Sequence, residues 1–265
     1  MHMGRRQGRW VICIFYILLH TFLTCLFHLQ PTSWQYFESQ TSEVQAAIRN
    51  GTSTNDLWVF MQHVHEEWQK KFDLHPTLVD TANRRATISS IFRSITVART
   101  NCSPVCRLFL GTHGIGKSHL LQLASIACKV AFGESLFVIF HDFLLNGLGM
   151  NRHSLTSIFR EAIKSRWHLT DLQLDQRLSK YSGSNIPKVI RVCKELGREQ
   201  SPPVNITVVL FADGLENLFI TQMIPMSLLN ELKSCALACG VVTFFSSSKY
   251  SIIDRLEEQN FRLYS

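Results

Sequence analysis

A parallel α/β sandwich, with helices on both faces of one sheet, is the fold class this sequence predicts, and three observations predict it. The first is Gly111-Thr112-His113-Gly114-Ile115-Gly116-Lys117-Ser118, a loop of the pattern G-x-x-x-x-G-K-[ST] set between a short apolar run and an apolar helical stretch. The second is alternation: brief apolar runs at 105–110, 135–140, 206–213 and 241–245 are separated by stretches of helical periodicity. The third is that the run Ile206-Thr207-Val208-Val209-Leu210-Phe211-Ala212-Asp213 closes on an acid. Parallel strands need crossover connections, and the crossover helices cover both faces of the sheet.

The loop is a P-loop, or Walker A, pattern, and each residue type has a physical reason. Gly111, Gly114 and Gly116 allow backbone turns closed to other residues, so that successive N–H groups face phosphate oxygens. Thr112, His113 and Ile115 contribute backbone to the same cradle. Lys117 supplies a point charge to the β- and γ-phosphates, and Ser118 a hydroxyl to Mg²⁺. The helix that follows, apolar from His119 to Val130 and closed by Gly133, adds the positive end of its dipole.

The acid-tipped run has the Walker B pattern. Asp213 at the strand tip is placed to hold the water shell of Mg²⁺ beside Ser118, so Ser118 and Asp213 are the candidate metal ligands. Water activation calls for a further carboxylate. The position after Asp213 is Gly214, and Glu216 is three residues beyond the aspartate. Asp213 and Glu216 are therefore the candidate catalytic acids. The strand Val241–Phe245 is tipped by Ser246-Ser247-Ser248, where Ser247 is a candidate sensor of the γ-phosphate. The cofactors implied are ATP and Mg²⁺.

The 265 residues suffice for one large domain, and a 46% hydrophobic fraction supports a sizeable core. The net charge of +7 is not evenly spread: Arg5, Arg6 and Arg9 precede every acid in the chain. The whole chain has 27 basic and 20 acidic residues, and setting these three arginines aside leaves only a mild basic excess, compatible with a nucleic-acid partner but not a demand for one. None of the eight cysteines forms a C-x-x-C pair, so the spacing offers no zinc site and reads as buried thiols.

Residues 1–29 form a basic then hydrophobic segment. Trp10–Leu29 is about long enough to cross a bilayer, and three readings stand: a signal peptide, a membrane anchor, or upstream sequence translated as protein. Positive-inside logic would send the remainder of an anchored chain across the membrane, where ATP is scarce. Three Asn-x-Ser/Thr matches, at Asn50, Asn101 and Asn205, read as chance. Residues 30–73 are a linker and helices: a short helix at 42–49, then one from Ser53 with Asp56 as its cap partner. In the second helix Leu57, Phe60, Met61, Val64, Trp68 and Phe72 share a core face.

Residues 74–265 carry the sandwich. A helix is expected over Arg84–Thr96, with Ile88, Ile91, Phe92 and Ile95 inward. Others are expected over Ser154–Trp167 and Ser227–Cys239, and a last one starts at Ile252. The stretch 177–199 is basic, with Arg177, Lys180, Lys188, Arg191, Lys194 and Arg198 against Asp175, Glu195 and Glu199, and Pro187 suits a first helical turn. It reads as a solvated face, with contact to a phosphate backbone as the alternative.

From about Leu74 to Ser265 the order of elements resembles the AAA+ initiator ATPases of the origin recognition complex. Three stretches carry the resemblance: His141-Asp142-Phe143-Leu144-Leu145-Asn146-Gly147 with the helix from Ser154, the strand and turn from Val208 to Phe219, and Ser251 to Ser265. The resemblance implies an ATP-binding subunit acting in DNA replication initiation, with sister subunits and double-stranded DNA as partners and the nucleus as location. It implies that the segment before the first strand covers the adenine. Gly214 stands where the family usually has glutamate, which implies weak or absent hydrolysis. The family's trans-acting arginine aligns with Leu263, one place from Arg262. A lid domain and winged helix would follow Ser265, and the hydrophobic N-terminus is foreign to the family. Asp213-Gly214-Leu215-Glu216 also resembles the "D-G-L-D-E" of NACHT signalling ATPases, on which reading Trp10–Leu29 is a single-pass anchor. A third reading keeps the loop in an interaction protein without hydrolysis.

Overall fold

A computed structural model describes residues 54–72, 78–143, 154–217, 226–238 and 240–254, all of them within the unit Thr41–Ser265. The chain-order elements are helix α1 (Thr54–Phe72), α2 (Ala82–Asn101), strand β1 (Val105–Leu110), α3 (Lys117–Phe132), β2 (Leu136–Asp142), α4 (Leu155–Trp167), α5 (Asp171–Leu178), α6 (Asn185–Arg198), β3 (Thr207–Asp213), α7 (Met226–Ala236) and β4 (Val241–Ser247).

The four strands form one parallel sheet in the order β1-β4-β3-β2. β3 and β4 are central and buried along their whole length, as their largely apolar sequences require of strands covered on both faces. One face bears Phe137, Ile139, Val208, Leu210 and Phe245. These join a core with Leu155, Phe159 and Ile163 of α4, Val189 and Cys193 of α6, and Leu232 and Cys235 of α7. The opposite face bears Phe244, stacked on Phe211 at 5.0 Å and on Phe109 at 6.0 Å between ring centroids. Helices α2 and α3 pack on the sheet, and α1 packs on both of them. The result is the three-layer α/β P-loop sandwich expected from the sequence.

Most boundaries follow local chemistry. Helix α2 begins two residues before the expected start because Thr81 caps it, its Oγ1 accepting from Arg84 N at 3.2 Å. It runs five residues past Thr96, to a left-handed Cys102. Ser154 caps α4, and Glu231 of α7 reaches back to accept from Leu155 N at 2.7 Å and Thr156 Oγ1 at 2.6 Å. Helix α5 was not expected; Thr170 and Gln173 start it with a reciprocal capping box. Strand β4 continues through Ser246 and Ser247, so the serines counted as a tip are partly strand. In α1 the stripe Leu57, Phe60, Met61 and Val64 is buried as its spacing predicts, and Trp58 joins it.

Cys106, Cys128, Cys193 and Cys235 are buried free thiols, and burial pushes Cys106 up to about 12. The start of the basic stretch is ion-paired: Arg177 forks onto both oxygens of Glu199 at 2.8 Å, and Lys180 reaches Glu195 at 3.3 Å. The short helix expected at 42–49, the segment 10–29 and the stretch after 254, with Arg262 and Leu263, lie outside the described residues. No helix among the described residues is long and apolar enough to cross a membrane.

Phe244 sits between two rings at the centre of the sheet. Phe244→Ala is expected to destabilise the domain by about 3–5 kcal/mol, read as a lowered urea midpoint with an unchanged slope.

Candidate nucleotide-binding site

β1 is one residue short of Gly111, and the loop turns from it into α3. Gly114 and Gly116 both adopt left-handed backbone, at φ 83° and 84°. A side chain at Gly111 would meet Ile115 Cδ1 at 2.3 Å, so the loop closes tightly on itself there. Gly116 is the N-cap of α3, and Leu120 N is bonded back to Gly116 O at 2.9 Å. The N–H groups ahead of Leu120 in the first turn have no carbonyl within the helix, which makes this end an anion site. Lys117 Nζ donates to Gly111 O at 2.7 Å and Thr112 O at 3.0 Å, placing its ammonium across the loop. Thr112, His113, Ile115 and Ser118 are exposed or half-buried along the rim.

The sheet order inserts β4 between the loop strand and the acid-tipped strand. Leu110 is in register with Ser247, and Ala212 with Phe245, so Asp213 and Ser246 are neighbours across the sheet. Asp213 is 4% exposed and accepts a short hydrogen bond from Ser246 Oγ, which in turn accepts from Gly214 N at 3.2 Å. Ser247 is fully buried. Its carbonyl accepts from Gly111 N at 3.3 Å, while its hydroxyl closes a turn with Lys249 N at 3.1 Å. The residue expected to sense phosphate through its hydroxyl thus holds the base of the loop through its backbone.

Glu216 is brought to the same edge but is engaged: its Oε1 accepts from Ser248 N at 3.0 Å and from Ser248 Oγ. Its Oε2 is buried with no hydrogen-bond partner. Burial alone would raise this carboxyl; the hydrogen bonds from Ser248, its own backbone and Ser247 outweigh that and hold it below the usual range.

Three residues at the site went unnoticed in the sequence. Asp142 ends β2 in register with Asp213, so the two acids share one face at the tips of adjacent strands. The signal was there, since the run at 135–140 continues through His141 to an acid just as the run at 206 does. Arg84 donates through Nη2 to Ile115 O at 2.8 Å and through Nη1 to Val79 O at 2.9 Å. It joins the segment before α2 to the loop, and brings together Val79 and Ile115, two large apolar residues that are 52% and 48% exposed. His119, in the first turn of α3, stacks on Trp68 of α1 at 5.8 Å, and burial, then the charges of His65 and Arg84, push it down to about 4.

The residues present fit a polyphosphate with a divalent cation. The loop side offers N–H and ammonium donors, and Ser118 and Asp213 offer the oxygen ligands a hard cation takes. Fold and loop together define a P-loop α/β domain. No protein-family model matches the chain, and no curated protein matches it. Among solved structures it is similar to C. elegans PCH-2, at 15% identity and a TM-score of 0.38, over 68% of this chain and 41% of that one. It is also similar to Drosophila ORC bound to DNA, at 14% identity and a TM-score of 0.41, over 80% of this chain and 46% of that one. The chain spans less than half the length of either neighbour.

Ser248→Ala tests the Glu216 latch. Glu216 is held charged below the usual carboxylate range, so its hydrogen-bond stabilisation is fully present at neutral pH and is lost as pH falls through its lowered folded value. The variant is expected to cost on the order of 1–3 kcal/mol at pH 7 and progressively less under acid, measured by urea unfolding across that span.

Proposed function

We propose that the chain binds ATP with Mg²⁺ and serves as a nucleotide-holding AAA+ subunit of an origin-recognition-type assembly on double-stranded DNA, in the nucleus. The observation that supports nucleotide binding is the loop's placement. Gly114 and Gly116 are left-handed where N–H groups must converge, and Asp213 lies two strands away in a sheet whose intervening strand touches both. In this reading Gly111–Ser118 holds the phosphates, Lys117 takes the β- and γ-oxygens, and Ser118 and Asp213 hold the cation. Mg²⁺, when bound, neutralises charge on those oxygens. The exposed pair Val79 and Ile115 gives the adenine an apolar surface.

The assembly part of the proposal rests on the resemblance of the three sequence stretches to initiator ATPases. Two of them flank the site: β2 with its Asp142 tip, and the β3 turn through Glu216. In that class of assembly nucleotide sits at subunit junctions, so binding and assembly are linked.

Lys117→Ala is expected to weaken ATP binding roughly ten- to hundredfold by titration calorimetry, with the thermal midpoint of the free protein little changed. It is also expected to reduce co-purification with origin DNA and sister subunits. An unchanged ATP dissociation constant would remove the site assignment. Intact ATP binding without any such partners would leave the nucleotide site and remove the origin-recognition role.

A further inference from the structure

We infer that Arg84 is a positioning residue for the phosphate cradle, fixing one peptide of the loop so that its N–H faces the phosphate. This rests on the P-loop reading above and adds a residue outside the loop motif to it. The peptide between Ile115 and Gly116 is planar and trans, so its C=O and N–H point in opposite directions. Arg84 Nη2 donates to Ile115 O at 2.8 Å. In this inference the bond pins the Ile115 carbonyl against the arginine, which turns Gly116 N–H the opposite way, toward the phosphate. The guanidinium is itself anchored, since Nη1 donates to Val79 O at 2.9 Å and the backbone N of Arg84 is tied to the Thr81 cap. A rigid two-armed cation suits this role better than lysine, whose single ammonium does not span two carbonyls in fixed geometry.

Gly116 is adapted to the same contact. At φ 84° the position resists any side chain, and a Cβ there would stand 2.8 Å from Arg84 Nη2. Glycine is therefore needed twice, for the turn and for the approach of the arginine. Without Arg84 the Ile115–Gly116 peptide is free to rotate its carbonyl inward, where it repels phosphate instead of attracting it. The same residue ties segment 79–84 to the loop, so an adenine lying on Val79 and a phosphate lying on Gly116 share one brace.

The test separates the peptide-orienting role from a role in base binding alone. Pyrophosphate has no base, so its affinity reports only on the cradle. Wild type, Arg84→Met, Arg84→Lys and Lys117→Ala are titrated with ADP and with pyrophosphate. Arg84→Met is expected to lose on the order of tenfold or more in both affinities, as for a lost charge-assisted hydrogen bond, with Arg84→Lys between it and wild type. Loss of ADP affinity with unchanged pyrophosphate affinity would overturn the inference, as would no change in either. If Arg84→Met does not fold, Arg84→Lys carries the test, and equal wild-type and Arg84→Lys affinities for pyrophosphate overturn it. The P-loop reading is judged separately: it stands if wild type binds ADP and Lys117→Ala binds it more weakly, whatever Arg84 shows, and falls if wild type binds neither ligand or if Lys117→Ala binds ADP as wild type does.

Discussion

Insertion of β4 between β1 and β3 is the constraint on which the site depends. A parallel sheet brings the C-terminal ends of all its strands to one edge, and here the middle strand ends in three serines that join what lies on either side. Ser247 takes Gly111 N through its carbonyl, Ser246 gives its hydroxyl to Asp213, and Ser248 latches Glu216. Alternation along a strand sends successive side chains to opposite faces, so neighbouring serines have different work. A slip of one residue between β3 and β4 would move Ser246 off Asp213 and send its hydroxyl to the other face. The uninterrupted burial of both strands, with Phe244 wedged against Phe211, is what fixes that register.

Much of this was legible in the sequence because it is local. Glycine, lysine and serine at fixed spacing fold as a loop wherever a strand enters and a helix leaves. Four apolar runs separated by helical patterns leave little freedom but a covered parallel sheet. What was not legible is what depends on the order of strands in space. Nothing in 241–248 says that its serines will touch both Gly111 and Asp213, because those contacts follow from β4 lying between two strands far apart in sequence. Arg84 was lost for the same reason: it sits 31 residues from the carbonyl it holds and reads as one of two adjacent arginines at a helix start. Arg85 beside it pairs instead with Asp80 and Asn55.

Charge gives a similar lesson. The basic stretch from Arg177 to Arg198 looks in sequence like a surface for polyanions. Folding turns α5 and α6 toward one another, so that Glu195 and Glu199 face Arg177 and Lys180, and Arg191 lies over the Tyr181 ring at 5.8 Å. Such exposed pairs add little stability singly, but they do occupy cations that a bare count would assign to a ligand. The basic count of this stretch therefore overstates the charge it presents, and the proposed role on DNA draws no strength from it.

In the proposed site, the turn after Asp213 bears on whether a held nucleotide could also be broken. Gly214 lies at φ 69°, a conformation side chains rarely adopt, and from it Leu215 N bonds to Ser246 O at 2.9 Å. A glutamate at that position would strain the turn that seats the β3 tip on β4, so the missing carboxylate and the shape of the turn go together. The next acid along, Glu216, is drawn to Ser248 and held there by three sources of hydrogen bonds. Moving it toward a phosphate would break those bonds and expose a carboxylate whose second oxygen is already buried without a partner. Asp142, in register with Asp213, places a second acid at the tips of these adjacent strands. In the proposed function, binding rests on the loop, Arg84 and Asp213, while any turnover would have to draw on residues that the loop does not control.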